Sequence, residues 1–403
     1  MSLKTALYLA LAVAVVNGFA RFAYALILPA MRESLGWDYA ASGWLNTANS
    51  VGYALGGLTG MLLLAKVRPT KLFASGLMAT VLCIGLVGFT TNLYLMLMLR
   101  LLAGVGSAWV FACGGALVAA YYQETSGKLS NEASQAKSGT PIAIFFAGGG
   151  LGIALSGVAV FPVLTGAMTW SQAWITLGFA AAILAIMPTI TVLRKEPISQ
   201  AMHAADKPLL SGWQWRFASQ YRWIILAYFC FGVGYIVYMT FVIAWLKQMR
   251  LSEGLVAGLW IMMGFSAMAS GWVWRKAMNA WRPTRTFCAA TLCTAVGSVI
   301  PIVFKNPAAL MLSTILVGGS FFMVPGAMTA LAKKTLPQAG WAPAMNLFTM
   351  IFAIGQAVGP VVAGEIADAR ATDGGLDAAM IFGFCLLMSA AGLALVQSEV
   401  RPK

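Results

Sequence analysis

Two arginines stand where the chain is otherwise apolar: Arg21 inside VNGFARFAYALILP (Val16–Pro29) and Arg100 inside LMLRLLAGVGSAW. On membrane-insertion scales a guanidinium deep in an apolar helix costs roughly 2.5–3.5 kcal/mol, so each is expected to face a protein interior and have a task. Asn17, Arg21, Tyr24 and Leu28 recur at i, i+4, i+7 and i+11, the spacing of one α-helical face. The next apolar run repeats the device with Asn46, Asn49, Tyr53 and Gly57, and a later one carries Tyr235, Tyr238, Val242 and Trp245. A cation, amides and aromatic faces on neighbouring helices can hold an anion with an apolar or planar body. Each residue also has a plainer use. Asn commonly hydrogen-bonds a neighbouring helix and Tyr commonly sits at the interface. Both arginines lie ~10–12 Å from the nearer helix end at 1.5 Å per residue, within reach of snorkelling. Arg100 is also placed to hold helix-end carbonyls.

The acidic residues sharpen the choice. All twelve (Glu33, Asp38, Glu124, Glu132, Glu196, Asp206, Glu253, Glu365, Asp368, Asp373, Asp377 and Glu399) fall in loops, tails or the ends of apolar runs. None sits mid-run to neutralise Arg21. An uncompensated buried cation is expensive, so the missing negative charge is expected to arrive with a cargo. The expected substrate-binding set is Arg21, Asn17, Tyr24, Asn46, Asn49, Tyr53, Arg100, Tyr235, Tyr238 and Trp245. Coupling, if protons drive the process, falls to Arg100, to substrate protonation, to a shifted tyrosine, or to Glu365 and Asp368 near the outer mouth; otherwise anion exchange or uniport is left open.

Other chemistry is poorly served. The only histidine, His203, lies in a polar linker, and the six cysteines lack metal-ligand spacing and read as packing residues. No nucleophile with a base, paired carboxylates or metal ligands occur within the apolar runs, so neither an enzyme nor a cofactor or metal is expected. The run Gly148-Gly149-Gly150 with Gly152 follows no strand, and reads as close helix packing rather than a phosphate loop.

The elements that must position these residues are membrane helices. The chain has 403 residues, 60% hydrophobic and 9% charged, with mean hydropathy +0.81; soluble domains carry roughly 25% charged residues. Twelve apolar runs can be drawn at roughly 6–30, 41–65, 72–90, 93–122, 139–165, 170–193, 222–246, 254–274, 286–304, 308–332, 343–366 and 377–397. Lipid leaves no backbone group unpaired, so unbroken apolar runs mean helices, giving an all-α membrane protein. The first run follows Lys4 like a signal peptide but continues too far, and is kept as a mature helix.

Of the 26 lysines and arginines, Arg32, Lys247, Arg250, Lys305 and Arg370 fall on one side and Arg21 and Arg100 within runs. The rest fall on the side of both termini, which is therefore expected to be cytoplasmic. The net charge of +14 is thus topological and needs no nucleic acid. The polar stretch 194–221, with Trp213, Trp215 and Phe217 among arginines, divides a six-helix half (1–193) from a second (222–403) and is expected to lie on the membrane surface. A repeat links the halves: Arg68-Pro69-Thr70-Lys71 matches Arg282-Pro283-Thr284-Arg285 at an offset of 214 residues. The same offset pairs Gly18 with Gly232, Tyr24 with Tyr238, Gly57 with Gly271, Gly104 with Gly318, and Arg21 with Tyr235.

The 6+6 plan, the central linker and Arg100-Leu-Leu-Ala-Gly104-Val-Gly106 resemble the major facilitator superfamily (MFS). Within it, NGFARFAYALILP, SGWLNTANSVGYALGGLTG, AGGGLGIALSG and CFGVGYIVYMTFVIAWL resemble the YbfB/YjiJ-like transporters over most of the chain. The loop LLLAKVRPTK lacks that superfamily's usual Asp, and AGGGLGIALSG lacks the proline of the fifth-helix antiporter motif. A closer match, Gly355-Gln-Ala-Val-Gly359-Pro360-Val-Val-Ala-Gly364, lies in the eleventh run. The resemblance implies two pseudo-symmetric six-helix bundles with a midplane site. The expected function is secondary transport of a small organic anion of carboxylate type by a monomer in a bacterial inner membrane. The competing expectation is an exporter of hydrophobic or cationic compounds, for which the 22 methionines would supply adaptable contacts.

Overall fold

The computed structural model describes residues 3–64, 66–125, 131–194, 219–336, 338–370 and 374–397. The expected surface segment around Trp213, Trp215 and Phe217, and His203 with it, falls outside these. Among the described residues the architecture is helical. In chain order the long elements are α1 (Lys4–Leu35), α2 (Tyr39–Leu63), α3 (Pro69–Val87), α4 (Leu93–Thr125), α5 (Asn131–Ala159) and α6 (Trp170–Arg194). The second series comprises α7 (Arg222–Gln248), α8 (Glu253–Ala280), α9 (Pro283–Val303), α10 (Pro307–Thr335), α11 (Gln338–Ala369) and α12 (Gly375–Val396).

Ten stretches among the described residues are long and apolar enough to cross a membrane. Of the two expected runs outside that number, α2 spreads Ser42, Asn46, Thr47, Asn49, Ser50 and Thr59 along its length, and α5 contributes the shorter apolar helix Ala143–Ala159 among the described residues. Polar residues on α2 are tolerable because most of them turn inward: Ser42, Asn46, Thr47, Asn49 and Ser50 are all buried.

The repeat is visible in how α3 and α9 begin. Pro69 and Pro283 each occupy a helix's first turn, where a missing N–H costs nothing. The arginines before them are both extended, Arg68 at φ −60°, ψ 136° and Arg282 at φ −65°, ψ 140°, as a residue preceding proline prefers.

In the N-terminal series α2 packs on α4, α4 on α3, α3 on α6, and α1 along α5. In the C-terminal series α7 packs on α11 and α12, α9 on α10 and α12, and α8 on α10. The two series meet chiefly along α2 with α11 and α5 with α8. Small residues permit the first of these crossings. A Cβ on Gly43 would overlap the Pro360 carbonyl, and one on Gly364 would lie 2.6 Å from the Tyr39 oxygen. α1 and α7 run through the interior: almost every residue of the hydrophobic window of each is buried.

α1 is not uniform. From Ala14 to Phe22 it winds as a π-helix, with the Ala23 N–H reaching the Gly18 carbonyl at 2.8 Å. The wider i→i+5 turn takes more residues per revolution than an α-helix. Side chains on either side of it are therefore rotated relative to α-helical spacing.

Candidate functional site

Arg21 points from the π-helical stretch into the seam between the two series and is 6% exposed. Its Nη2 donates to the Gln356 side-chain oxygen on α11 and lies 3.5 Å from the Ser50 hydroxyl on α2. The guanidinium carbon sits 5.1 Å from the centre of the Tyr53 ring, a cation–π contact. Gln356 in turn donates from Nε2 to the Tyr235 hydroxyl on α7. One carboxamide thus joins the cation of the first series to the phenol of the second. Tyr235 is the residue that the 214-residue offset pairs with Arg21, so the two repeat mates meet at one node. Arg21 Nε is buried and has no hydrogen-bond partner. Among the described residues none of the groups touching this guanidinium is a carboxylate.

Aromatic rings close the node on the C-terminal side. Tyr235 lies nearly parallel to Phe231 (5.1 Å, 7°), Phe352 (5.5 Å, 10°) and Phe321 (5.9 Å, 14°). On the other side Tyr53 meets Phe111 edge-on at 6.3 Å. Asn46 spans the seam nearby: its Nδ2 donates to the Thr240 hydroxyl at 2.6 Å, while its Oδ1 is buried without a partner. Thr47 donates to the Ala357 carbonyl across the same seam at 2.6 Å. Asn17 turns its amide toward Gly149 of α5, where the Phe322 ring also reaches.

The remaining expected residues sit elsewhere. Tyr24 was aligned with Arg21 by α-helical spacing, but Arg21 lies within the π-helical stretch and Tyr24 opens the α-helical turn after it. Its hydroxyl donates to the Ser42 carbonyl at 2.7 Å and its ring stacks on Trp174 at 6.4 Å, inside the N-terminal series. Arg100 is enclosed in the same layer, 5.3 Å from the Tyr24 and Trp174 ring centres. It donates to the Ala20 carbonyl on α1 and to the Leu45 carbonyl on α2 at 3.3 Å, the carbonyl-holding arrangement. Asn49 donates to the Arg100 carbonyl at 3.1 Å. That contact needs α2 and α4 nearly touching, and a Cβ on Gly104 or Gly52 would overlap the facing backbone. Tyr238 hydrogen-bonds Ser313 at 2.9 Å within the C-terminal series.

Trp245 is far from the node, at the end of the helix bundle opposite the termini. Its indole N–H donates to Asp377, beside an open cavity of about 350 Å³ lined also by Gln248, Met249 and Lys305. At that same end Asp368 of α11 accepts from the backbone N–H groups of Tyr39 and Ala40, at 2.9 and 2.8 Å. These are two of the orphan donors that every helix start leaves. Asp38 takes a third, from Ala41 at 2.6 Å. Gln248 adds a bond to the Tyr39 hydroxyl at 3.0 Å, and the Arg32 guanidinium lies 4.2 Å from the Tyr39 ring centre. Glu365, one turn away, is exposed.

Sequence reasoning missed Gln356, Ser50, Phe352 and Phe321. Gln356 had a usable signal: it is the polar residue within the glycine-spaced segment Gly355–Gly364 of an apolar helix. The others look like ordinary packing residues until the helices are assembled.

The sequence family described as an uncharacterised MFS-type transporter, YbfB, matches residues 12–395. No curated protein matches. Among solved structures, the nucleoside transporter NupG superposes with a TM-score of 0.74 at 15% identity, covering 98% of each chain. A point mutant of NupG superposes at 0.72 with 16% identity, covering 97% of this chain and 98% of that one. At that identity the likeness concerns the fold.

Proposed function

Because the chain belongs to the family of YbfB-like MFS-type transporters, we propose that it carries a small organic anion by alternating access. The observation that carries this reading is the Arg21 guanidinium: buried in the seam, held by a neutral amide, with Nε unpartnered and no carboxylate against it. A charge-assisted bond is roughly twice as strong as one between neutral groups. An anionic cargo would therefore replace Gln356 with profit, and its arrival would supply the counter-charge the seam lacks.

In this scheme the chain forms twelve spans in two six-helix bundles, 1–193 and 222–403. The linker 194–221 and both termini lie on the cytoplasmic side of a bacterial inner membrane, and the working unit is a monomer. The bundles rock about the α2–α11 and α5–α8 seams. Glu365 and Asp368 lie at the outer mouth, so proton coupling would run through them or through the cargo itself; exchange of one anion for another needs neither. The competing exporter of cationic or hydrophobic compounds is disfavoured, because its cargo would meet a cation at the seam. A neutral planar cargo such as a nucleoside is the second reading, favoured by the parallel rings beside an amide.

The test is a thermal-shift screen of purified protein against metabolite carboxylates and nucleosides at several pH values. Uptake of the hit into vesicles follows for the natural chain, Arg21→Ala and Arg21→Lys. Leaving a charged partner unpaired in a buried site costs about 2–5 kcal/mol, so Arg21→Ala should lower affinity by roughly 30-fold or more. Lys keeps the charge but not the planar fork, and should fall between. Undiminished anion transport in both variants would refute the reading, as would a hit confined to nucleosides.

A further inference from the structure

We propose that the cargo is a planar aromatic carboxylate whose carboxylate displaces Gln356 from Arg21 and whose ring joins the parallel stack at Tyr235. This rests on the anion reading and deepens it.

The guanidinium supplies the first half of the argument. Nε and Nη2 form one edge of the fork, with two N–H groups pointing the same way, the geometry that a carboxylate meets bidentately. Gln356 engages only Nη2, and Nε is left buried and unpaired. A carboxamide has one oxygen to offer and a carboxylate has two. Gln356 is therefore a stand-in of the right shape and the wrong charge, and it marks where a two-oxygen planar anion fits. Its Nε2 bond to the Tyr235 hydroxyl shows that the same spot is within reach of the C-terminal series. A carboxylate there would accept from both Arg21 and the phenol, tying the two series together.

The rings supply the second half. Tyr228, Phe231 and Tyr235 lie along one face of α7, and Phe352 of α11 stacks on all three, within 6° to 12° of parallel at 4.8–6.0 Å. Phe321 of α10 continues the same orientation beyond Tyr235. Aromatic pairs in cores are commonly offset-stacked or edge-to-face. Here a set from three helices shares one orientation and ends at the hydroxyl that Gln356 holds. A flat ring attached to the bound carboxylate would extend that set face to face, whereas a puckered saturated ring would hold its faces apart.

The experiment uses purified full-length protein and three probes: benzoate, cyclohexanecarboxylate and benzamide. The two acids have equal charge and carbon count, and benzamide removes the charge while keeping the ring. Binding is measured by calorimetry. Benzoate is expected to bind about three- to tenfold more tightly than cyclohexanecarboxylate, the range that stacking adds beyond burial. Phe352→Leu should shrink that preference, because it weakens benzoate binding more than cyclohexanecarboxylate binding. Its fold is checked by its unfolding transition, and the comparison within the natural chain stands without it. Equal binding of the two acids to the natural chain would overturn the aromatic proposal and leave the anion reading standing. Benzamide binding as well as benzoate, or benzoate binding unaltered in Arg21→Gln, would overturn both.

Discussion

Replacing Asp368 by Asn should loosen the end of the bundle opposite the termini. In the structure the Asp368 carboxylate, half-buried on α11, accepts from two N–H groups at the start of α2, at 2.9 and 2.8 Å. The two helices belong to different series, so this contact exists only while that end is closed. Asn offers one oxygen for two donors and no charge against the positive end of the α2 dipole. A hydrogen bond to a charged group contributes about 1.5–3 kcal/mol. At a half-buried helix start, where water replaces the lost acceptor on opening, the low end applies. The closed state should therefore lose ~1.5 kcal/mol, and the open population should rise roughly tenfold. Closure is weakened rather than abolished, because the Gln248 bond to Tyr39 and the seam bond of Asn46 persist.

The readout is a cysteine at Thr47, 5% exposed in the closed seam, in a chain stripped of its native cysteines. Its maleimide labelling rate from the side of that end should rise about tenfold with Asp368→Asn, and less with Asp368→Glu, which keeps the charge. An unchanged or slower rate with Asp368→Asn would show that this contact does not hold the end shut.

Other perturbations separate roles within the N-terminal series and at the node. Gln356→Glu places a carboxylate beside Arg21 and should act as a tethered substitute for the cargo. Its melting temperature should rise while anion binding, followed by calorimetry, is lost. Arg100→Met removes the donors held by the Ala20 and Leu45 carbonyls, leaving buried acceptors unpaired, and should cost about 2–4 kcal/mol in unfolding. In Arg100→Met protein that still folds, anion affinity should stay within about twofold, which binding isotherms check. Gly104→Ala forces α2 from α4 and should cost about 1–3 kcal/mol, read from the unfolding transition in detergent.

How much was legible beforehand depends on the range of the interactions concerned. A burial cost can be read from one chain segment, so Arg21 stood out in VNGFARFAYALILP and the acids were visibly confined to run ends. The matched starts of α3 and α9 follow from proline, whose effect reaches one or two residues. Face assignments failed where a local rule was broken: the winding changes from π to α between Arg21 and Tyr24, and Tyr24 meets Ser42 and Trp174 although its spacing from Arg21 fitted an α-helix. Trp245 shares a face with Tyr235 and Tyr238, yet its distance along α7 puts it with Asp377 at the end of the bundle.

By itself the sequence determined the solvent this chain lives in, the helical form that lipid demands of it, and the presence of a deep cation without nearby acids. These follow from composition and short-range periodicity. Only the tertiary structure decided which neutral group holds that cation, because Gln356 stands 335 residues from Arg21. It likewise decided that Arg100 clasps carbonyls and that rings from α7, α10 and α11 lie parallel. Helical periodicity says which way a side chain leaves its own axis; the packing of distant helices says what it meets there.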